Sequence, residues 1–176
     1  MNIQDVIEKY NKKEKLEYLF FWKSNSYLSN WYPSDFIVNG VLYWCVEQYM
    51  MAKKAELFND YTVFRMIMFS NSQKEIKALG RTIRGFDEKI WAENRERIVF
   101  EGNYAKFTQN EKLKDFIIKQ KDKILVEASP YDRIWGIGVG ADDAYFVSNP
   151  NNWRGLNLLG FVLMDVRDTI ISESRC

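Results

Sequence analysis

Glu47 and Lys54 lie in one stretch, Glu47-Gln48-Tyr49-Met50-Met51-Ala52-Lys53-Lys54-Ala55, in which no residue breaks a helix. At about 100° per residue, Glu47, Met51, Lys54 and Phe58 fall within one narrow arc, so a carboxylate and an ammonium can point into one pocket. Such a pair can move protons, or the lysine can attack a carbonyl carbon. The chain has no histidine. Acid, base or nucleophile must therefore come from carboxylates, lysines, tyrosines or two cysteines, which gives Glu47 and Lys54 extra weight. The plainer account is a solvated Glu and Lys on an outer helical face. Tyr43, Trp44, Met51 and Phe58 nearby make that face apolar and count against it.

Other segments are rich in residue types that recognise a ring, a sugar or a phosphate. Leu125 to Gly138 sets Asp132 at a loop edge beside Trp135, Gly136 and Gly138. Glycine admits a ligand close to the backbone, and tryptophan offers a stacking face. Taken alone, Asp132 is better explained as a turn cap paired with Arg133. Ser29 and Asn30, within Tyr27 to Pro33, suit a sugar or base edge and equally suit an ordered turn. Arg81, after Gly80, can meet a phosphate or simply solvate the surface. Trp91 follows Asp87 by one helical turn. Gln109, in Lys106-Phe107-Thr108-Gln109-Asn110, is an amide reader or part of a helix boundary. Backbone N–H groups near Gly155, with Arg154, could hold an anion at the start of the last helix. Leu158, Leu159, Val162, Leu163 and Val166 read as the core stripe of that helix.

A length of 176 residues, 47% of them hydrophobic and 16% aromatic, fits one folded core. Lys and Arg number 25 against 24 acidic residues, net +1, which excludes the global basic footprint of a DNA-scanning protein. The first residues lack a secretory pattern and no apolar run reaches membrane-spanning length, so a cytoplasmic protein without membrane contact is expected. Cys45 and Cys176 support neither a disulfide framework nor a metal cluster, and Cys45 reads as a small buried residue.

Residues 1–17 read as a charged leader, helical or frayed, and 18–176 as a single domain. Tyr18 to Trp22 reads as a buried strand. Asp35 to Val38 and Val41 to Trp44 flank Asn39-Gly40, a strong hairpin signal. Helical periodicity follows over 61–69, 72–79, 87–100 and 111–120, with Gly80, Gly85 and Gly102 as breaks. Residues 123–127 and 133–139 read as short strands, and 156–170 as the last helix.

In this order, Leu28-Ser29-Asn30-Trp31-Tyr32-Pro33, Glu47-Gln48-Tyr49-Met50, Lys54-Ala55, Leu79-Gly80-Arg81, Lys106-Phe107-Thr108-Gln109, Leu125 to Gly138 and Trp153 to Gly160 resemble the YbiA-like, or NADAR, family. The likeness runs from about Phe20 to Arg167. Phe21-Trp22-Lys23-Ser24 departs from it by lacking the Gly-His that often follows the aromatic pair. The resemblance implies a mainly helical α+β single domain with a small hairpin or sheet, and hydrolysis of N-glycosidic bonds. It implies two substrate classes: ribosylamino-pyrimidine phosphate intermediates of riboflavin synthesis, and ADP-ribose carried on guanine in nucleic acid. It carries over Glu47 as the principal catalytic carboxylate, with Lys54, Trp91, Asp132 and Trp135 as pocket residues. Trp22, Ser29, Asn30, Arg81, Gln109, Gly136 and Asn157 complete the candidate substrate-binding set. No cofactor or metal is expected. The expected partners are ADP-ribosylated nucleic acid or a ribosylated, nucleotide-like small molecule, and a cognate DNA ADP-ribosyltransferase toxin.

Breaking a C1′–N bond builds positive charge on the ribose, which a carboxylate stabilises while a donor protonates the leaving base and a base activates water. Glu47 is expected as general acid or base at the anomeric carbon, with Asp132 orienting the ribose hydroxyls or the water. A second route opens the sugar and traps its aldehyde on Lys54 as a Schiff base. Removal of ADP-ribose from guanine is the leading reading, ahead of hydrolysis of riboflavin intermediates. A non-catalytic ADP-ribose or nucleotide-binding module and a purely structural interaction domain are the remaining classes. Two retained carboxylates near an anionic ligand count against a pure binder.

Overall fold

The structure, a computed structural model, describes residues 1–174; the second thiol of the sequence, Cys176, lies outside the described residues. In chain order its elements are α1 (Ile3–Asn11), β1 (Tyr18–Phe21), β2 (Phe36–Val38), β3 (Val41–Tyr43), α2 (Val46–Leu57), α3 (Tyr61–Phe69), α4 (Gln73–Leu79), α5 (Glu88–Gln109), α6 (Glu111–Ile118), β4 (Ile124–Glu127), α7 (Ala144–Val147) and α8 (Leu158–Glu173). The fold is mainly helical α+β with two small sheets, as expected. No helix among the described residues is long and apolar enough to cross a membrane. Backbone contacts divide the chain into two compact units: Asn30–Lys114, and the two flanking stretches, Met1–Ser29 with everything from Asp115 onward.

In the unit Asn30–Lys114, the Asn39-Gly40 turn has positive φ at both residues, 51° and 77°, and joins β2 to β3 in the register Phe36↔Tyr43, Ile37↔Leu42, Val38↔Val41. Helix α2 lies at the centre, packed against α3, α4 and α5. Short polar side chains start the surrounding helices: Asp60 accepts from the Val63 N–H, Ser72 from Glu75 and Asp87 from Ile90. Helix α5 is longer than its periodicity suggests, because Gly102 does not end it. A Cβ at Gly102 would lie 2.6 Å from Cδ1 of buried Tyr49, so glycine serves close helix packing there.

In the flanking unit, β1 and β4 pair in parallel from Tyr18↔Ile124 to Phe21↔Glu127, and α8 covers β4. The leader forms a true helix: Asn2 and Asp5 make a reciprocal capping box, and Val6 is fully buried. Residues 133–139, expected as a strand, are not one. The turn at Asp132 and the positive φ of Gly138 break the extension, and the carbonyls of Arg133, Ile134, Trp135, Gly136 and Ile137 instead accept N–H groups from residues 154–159. Leu159, Val162, Leu163 and Val166 are buried as expected, while Leu158 is partly exposed.

Candidate active site

The first turn of α2 holds Glu47 in the interior, 3% exposed. Its N–H donates to the Asn30 carbonyl at 2.9 Å, and the Asn30 side chain accepts from Asn103 Nδ2 at 3.0 Å. Asn103 Nδ2 also donates to the Val99 carbonyl on α5, so Glu47, Asn30 and Asn103 form one buried polar group. Gln48 fixes the start of the helix by accepting from Trp44 N and donating to the Ile67 and Met68 carbonyls. A carboxylate in the first turn also gains from the helix dipole.

Two turns on, Lys54 Nζ donates to the Gly80 carbonyl at 3.0 Å and sits 4.1 Å from the Phe86 ring centroid and 5.4 Å from that of Trp91. Burial lowers its pKa, opposed by the charges of Glu88 and Glu47. Glu47 is thus tied to Asn30 through its backbone N–H, Lys54 lies beside Trp91, and the charge of Glu47 reaches Lys54 along α2. Gly80 packs against Met51, on the same face of α2, whose Sδ occupies the space a Cβ would take. The segment that presents Gly80 and Phe86 is anchored by Asp60, which accepts from Arg84 N, Nε and Nη2 at 3.0, 3.1 and 3.1 Å.

Lys106 is the functional candidate that the sequence reading left out. It is completely buried on α5, with Nζ 5.6 Å from the Tyr32 ring centroid, and burial pulls its pKa down to about 7. The signal was present: Val99, Asn103 and Lys106 follow the i, i+4, i+7 spacing of one face, which places a lysine on the core side. Burial also pushes the Cys45 thiol up to about 12; the charge of Glu47 adds to this and that of Lys106 opposes it. Cys45 is therefore a protonated core residue at neutral pH rather than a nucleophile.

Arg81 is exposed. Gln109 accepts from Ile37 N at 2.8 Å and donates to Ile37 O at 2.7 Å, tying the end of α5 to the hairpin. In the other unit, Asp132 Oδ1 accepts from Ile134 N and Trp135 N at 2.9 and 2.8 Å, the turn-capping geometry. Gly136 is buried where a Cβ would lie 2.8 Å from the Glu127 carbonyl. Asn157 is fully buried at φ 55°; its side chain accepts from Glu127 N and donates to Leu125 O, both at 2.9 Å, which fastens the approach to α8 onto β4. Trp22 faces Tyr131 at 6.1 Å between centroids and carries Lys23 Nζ at 4.8 Å, and Ser29 is buried. The anion site expected near Gly155 is not built. The N–H groups of Arg154, Leu156, Asn157, Leu158 and Leu159 are spent on the carbonyls of 133–137, and Gly155 is packed against the Gly136 carbonyl.

A family model described as the NADAR domain matches residues 20–171. The chain belongs to the NADAR family. It is 43% identical over 163 residues to N-glycosidase R617 of Acanthamoeba polyphaga mimivirus, covering 86% of this chain and 95% of that protein. A more distant match, 29% identical over 118 residues, is to the chloroplastic riboflavin biosynthesis protein PYRR of Arabidopsis thaliana, covering 65% of this chain and 18% of that protein. The NMR structure of Escherichia coli YbiA superposes with a TM-score of 0.74 over 90% of this chain and 88% of that chain at 23% identity, which establishes the fold. This NADAR chain is an N-glycosidase, a hydrolase acting on N-glycosyl bonds.

Proposed function

We propose that this NADAR chain removes ADP-ribose from ADP-ribosylated guanine in nucleic acid, in the cytoplasm, with Glu47 and Lys54 as catalytic residues. The observation that carries the reading is the shared face of α2. A buried carboxylate and a partly buried amine lie within electrostatic reach of each other, and the amine is framed by Phe86 and Trp91. Glycosidic cleavage leaves positive charge on the ribose, and a carboxylate held away from water stabilises that charge more than a solvated one does. Glu47 then protonates the leaving base or activates water. Lys54, with its pKa lowered, supplies an amine able to capture an opened sugar. Arg81 is assigned to a phosphate. The substrate arises by transfer of ADP-ribose to guanine, so a DNA ADP-ribosyltransferase is the expected functional partner.

The match to PYRR favours a second reading, hydrolysis of ribosylamino-pyrimidine phosphates. The match to R617 is higher in identity and spans nearly that whole protein, which supports the glycosidase reading without assigning the base. Measuring kcat/KM of the purified chain on ADP-ribosylated guanine in a single strand and on a ribosylaminopyrimidine phosphate separates the two. The proposal expects the former to be larger; the reverse order overturns it.

A further inference from the structure

We propose that the outward face of α3, continued by the basic segment after it, is a track for the single-stranded nucleic acid that carries the modified guanine. This rests on the reading of the substrate as a base within nucleic acid. Helix α3 buries Val63 and Ile67 and turns the opposite side outward. On a helical wheel Tyr61, Arg65, Phe69, Thr62 and Met66 span an arc of about 140°, and all five are exposed. Phe69 is 85% exposed, Tyr61 54% and Met66 51%. Large apolar side chains turned to solvent together mark a contact surface.

The order of residues on that face identifies the partner. Tyr61, Arg65 and Phe69 recur every fourth residue, so ring, cation and ring alternate over about 12 Å at 1.5 Å per residue. Three to four phosphates at the ~3.4 Å spacing of a stacked strand fit that length. Proteins that hold single strands combine such cations with aromatic faces on which bases stack. From Tyr61 to Phe86 the chain carries five cations, Arg65, Lys74, Lys77, Arg81 and Arg84, against one acid, Glu75, a local +4 in a chain of net +1. Of these, Arg84 is committed to Asp60, and Glu75 receives the Ser70 hydroxyl. A hollow lined by Met66, Phe69, Ser70, Asn71, Ser72 and Glu75 opens beside the Phe69 ring, with short polar groups suited to a base edge or sugar. A membrane-seeking face would gather its rings and flank them with cations; here a cation lies between the rings on one strip.

The test measures fluorescence anisotropy of an unmodified, mixed-sequence single-stranded deoxyoligonucleotide with the full chain, between 50 and 200 mM salt on the scale of about one decade of loss per few phosphate contacts. Arg65→Ala with Lys74→Ala lowers the log–log salt slope by about 1.4, twice the ~0.7 expected per phosphate. Phe69→Ala weakens binding about tenfold, the loss of one stacked base. On an ADP-ribosylated oligonucleotide these variants lose kcat/KM by matching factors, whereas hydrolysis of a free ADP-ribosylated guanosine nucleotide is unchanged. Circular dichroism confirms that the surface variants are folded. Unaltered binding by folded variants overturns the proposal, as does wild-type binding to anionic phospholipid vesicles but not to the oligonucleotide. Weakened binding in the variants with no release by the wild type from either substrate supports the track and overturns the catalytic reading instead.

Discussion

Lys106→Met makes the pH dependence of stability a direct readout of the buried amine. In the unfolded chain a lysine titrates near 10.5, and in the folded chain Lys106 titrates at about 7. Below pH 7 the folded protein must hold an ammonium in its core, at a cost of roughly 5 kcal/mol at 1.36 kcal/mol per pH unit. As the pH rises from 7 towards 10.5, only the unfolded chain still binds that proton, so the cost falls and stability rises. Between pH 7.5 and 9.5 the gain is roughly 2–3 kcal/mol. Burial holds the Tyr43 hydroxyl up at about 12, so tyrosine ionisation opposes the trend above this window. Lys54, also lowered by burial, works in the same direction, and the informative quantity is therefore the difference between variant and wild type. Methionine keeps the apolar length and removes the amine. Urea unfolding at the two pH values should show the variant's stability relative to wild type falling by roughly 2–3 kcal/mol from pH 7.5 to 9.5. A difference that does not change with pH refutes the reasoning.

Gly102→Ala gains helix propensity of about 1 kcal/mol but drives a methyl into Tyr49, whose hydroxyl is held by Glu101; a net loss of about 1–2 kcal/mol is expected in urea unfolding. Asn157→Ala removes two buried hydrogen bonds and leaves a poorly suited residue at positive φ, so thermal unfolding should report a loss of about 2–4 kcal/mol. Asp60→Ala releases Arg84 and loosens the segment that presents Gly80 and Phe86 to Lys54. Water then reaches the amine, and the limb of the pH–rate profile that belongs to Lys54 should move up towards the ordinary lysine value, with kcat reduced. If sugar capture on Lys54 is the route, borohydride added during turnover leaves an ADP-ribosyl mass on the wild type and none on Lys54→Arg.

Much of the unit Asn30–Lys114 is legible in the sequence because its signals are local. The Asn39-Gly40 turn, the Asp60, Ser72 and Asp87 caps and the common face of Glu47 and Lys54 need only neighbouring residues for their explanation. What escaped depends on contacts far along the chain. Gly102 resembles a helix stop until Tyr49 is seen against it, and the free N–H groups expected before α8 vanish once residues 133–137 supply their acceptors. Asn157 and Gln109 look like ligand readers in sequence, yet both spend their amides on distant backbone. Lys106 escapes for a different reason: a lysine on a core face is rare, so its residue type alone marks it as surface.

Release of free ADP-ribose from an ADP-ribosylated guanine in a single-stranded oligonucleotide, compared between wild type and Glu47→Gln, decides whether the buried carboxylate drives glycosidic cleavage. The substitution keeps the shape of the buried side chain and removes its charge and its proton. Rapid release by the wild type and a loss of at least about 10²-fold in kcat for the variant, at unchanged stability, are expected. Release at equal rates by both proteins would contradict that role of the carboxylate.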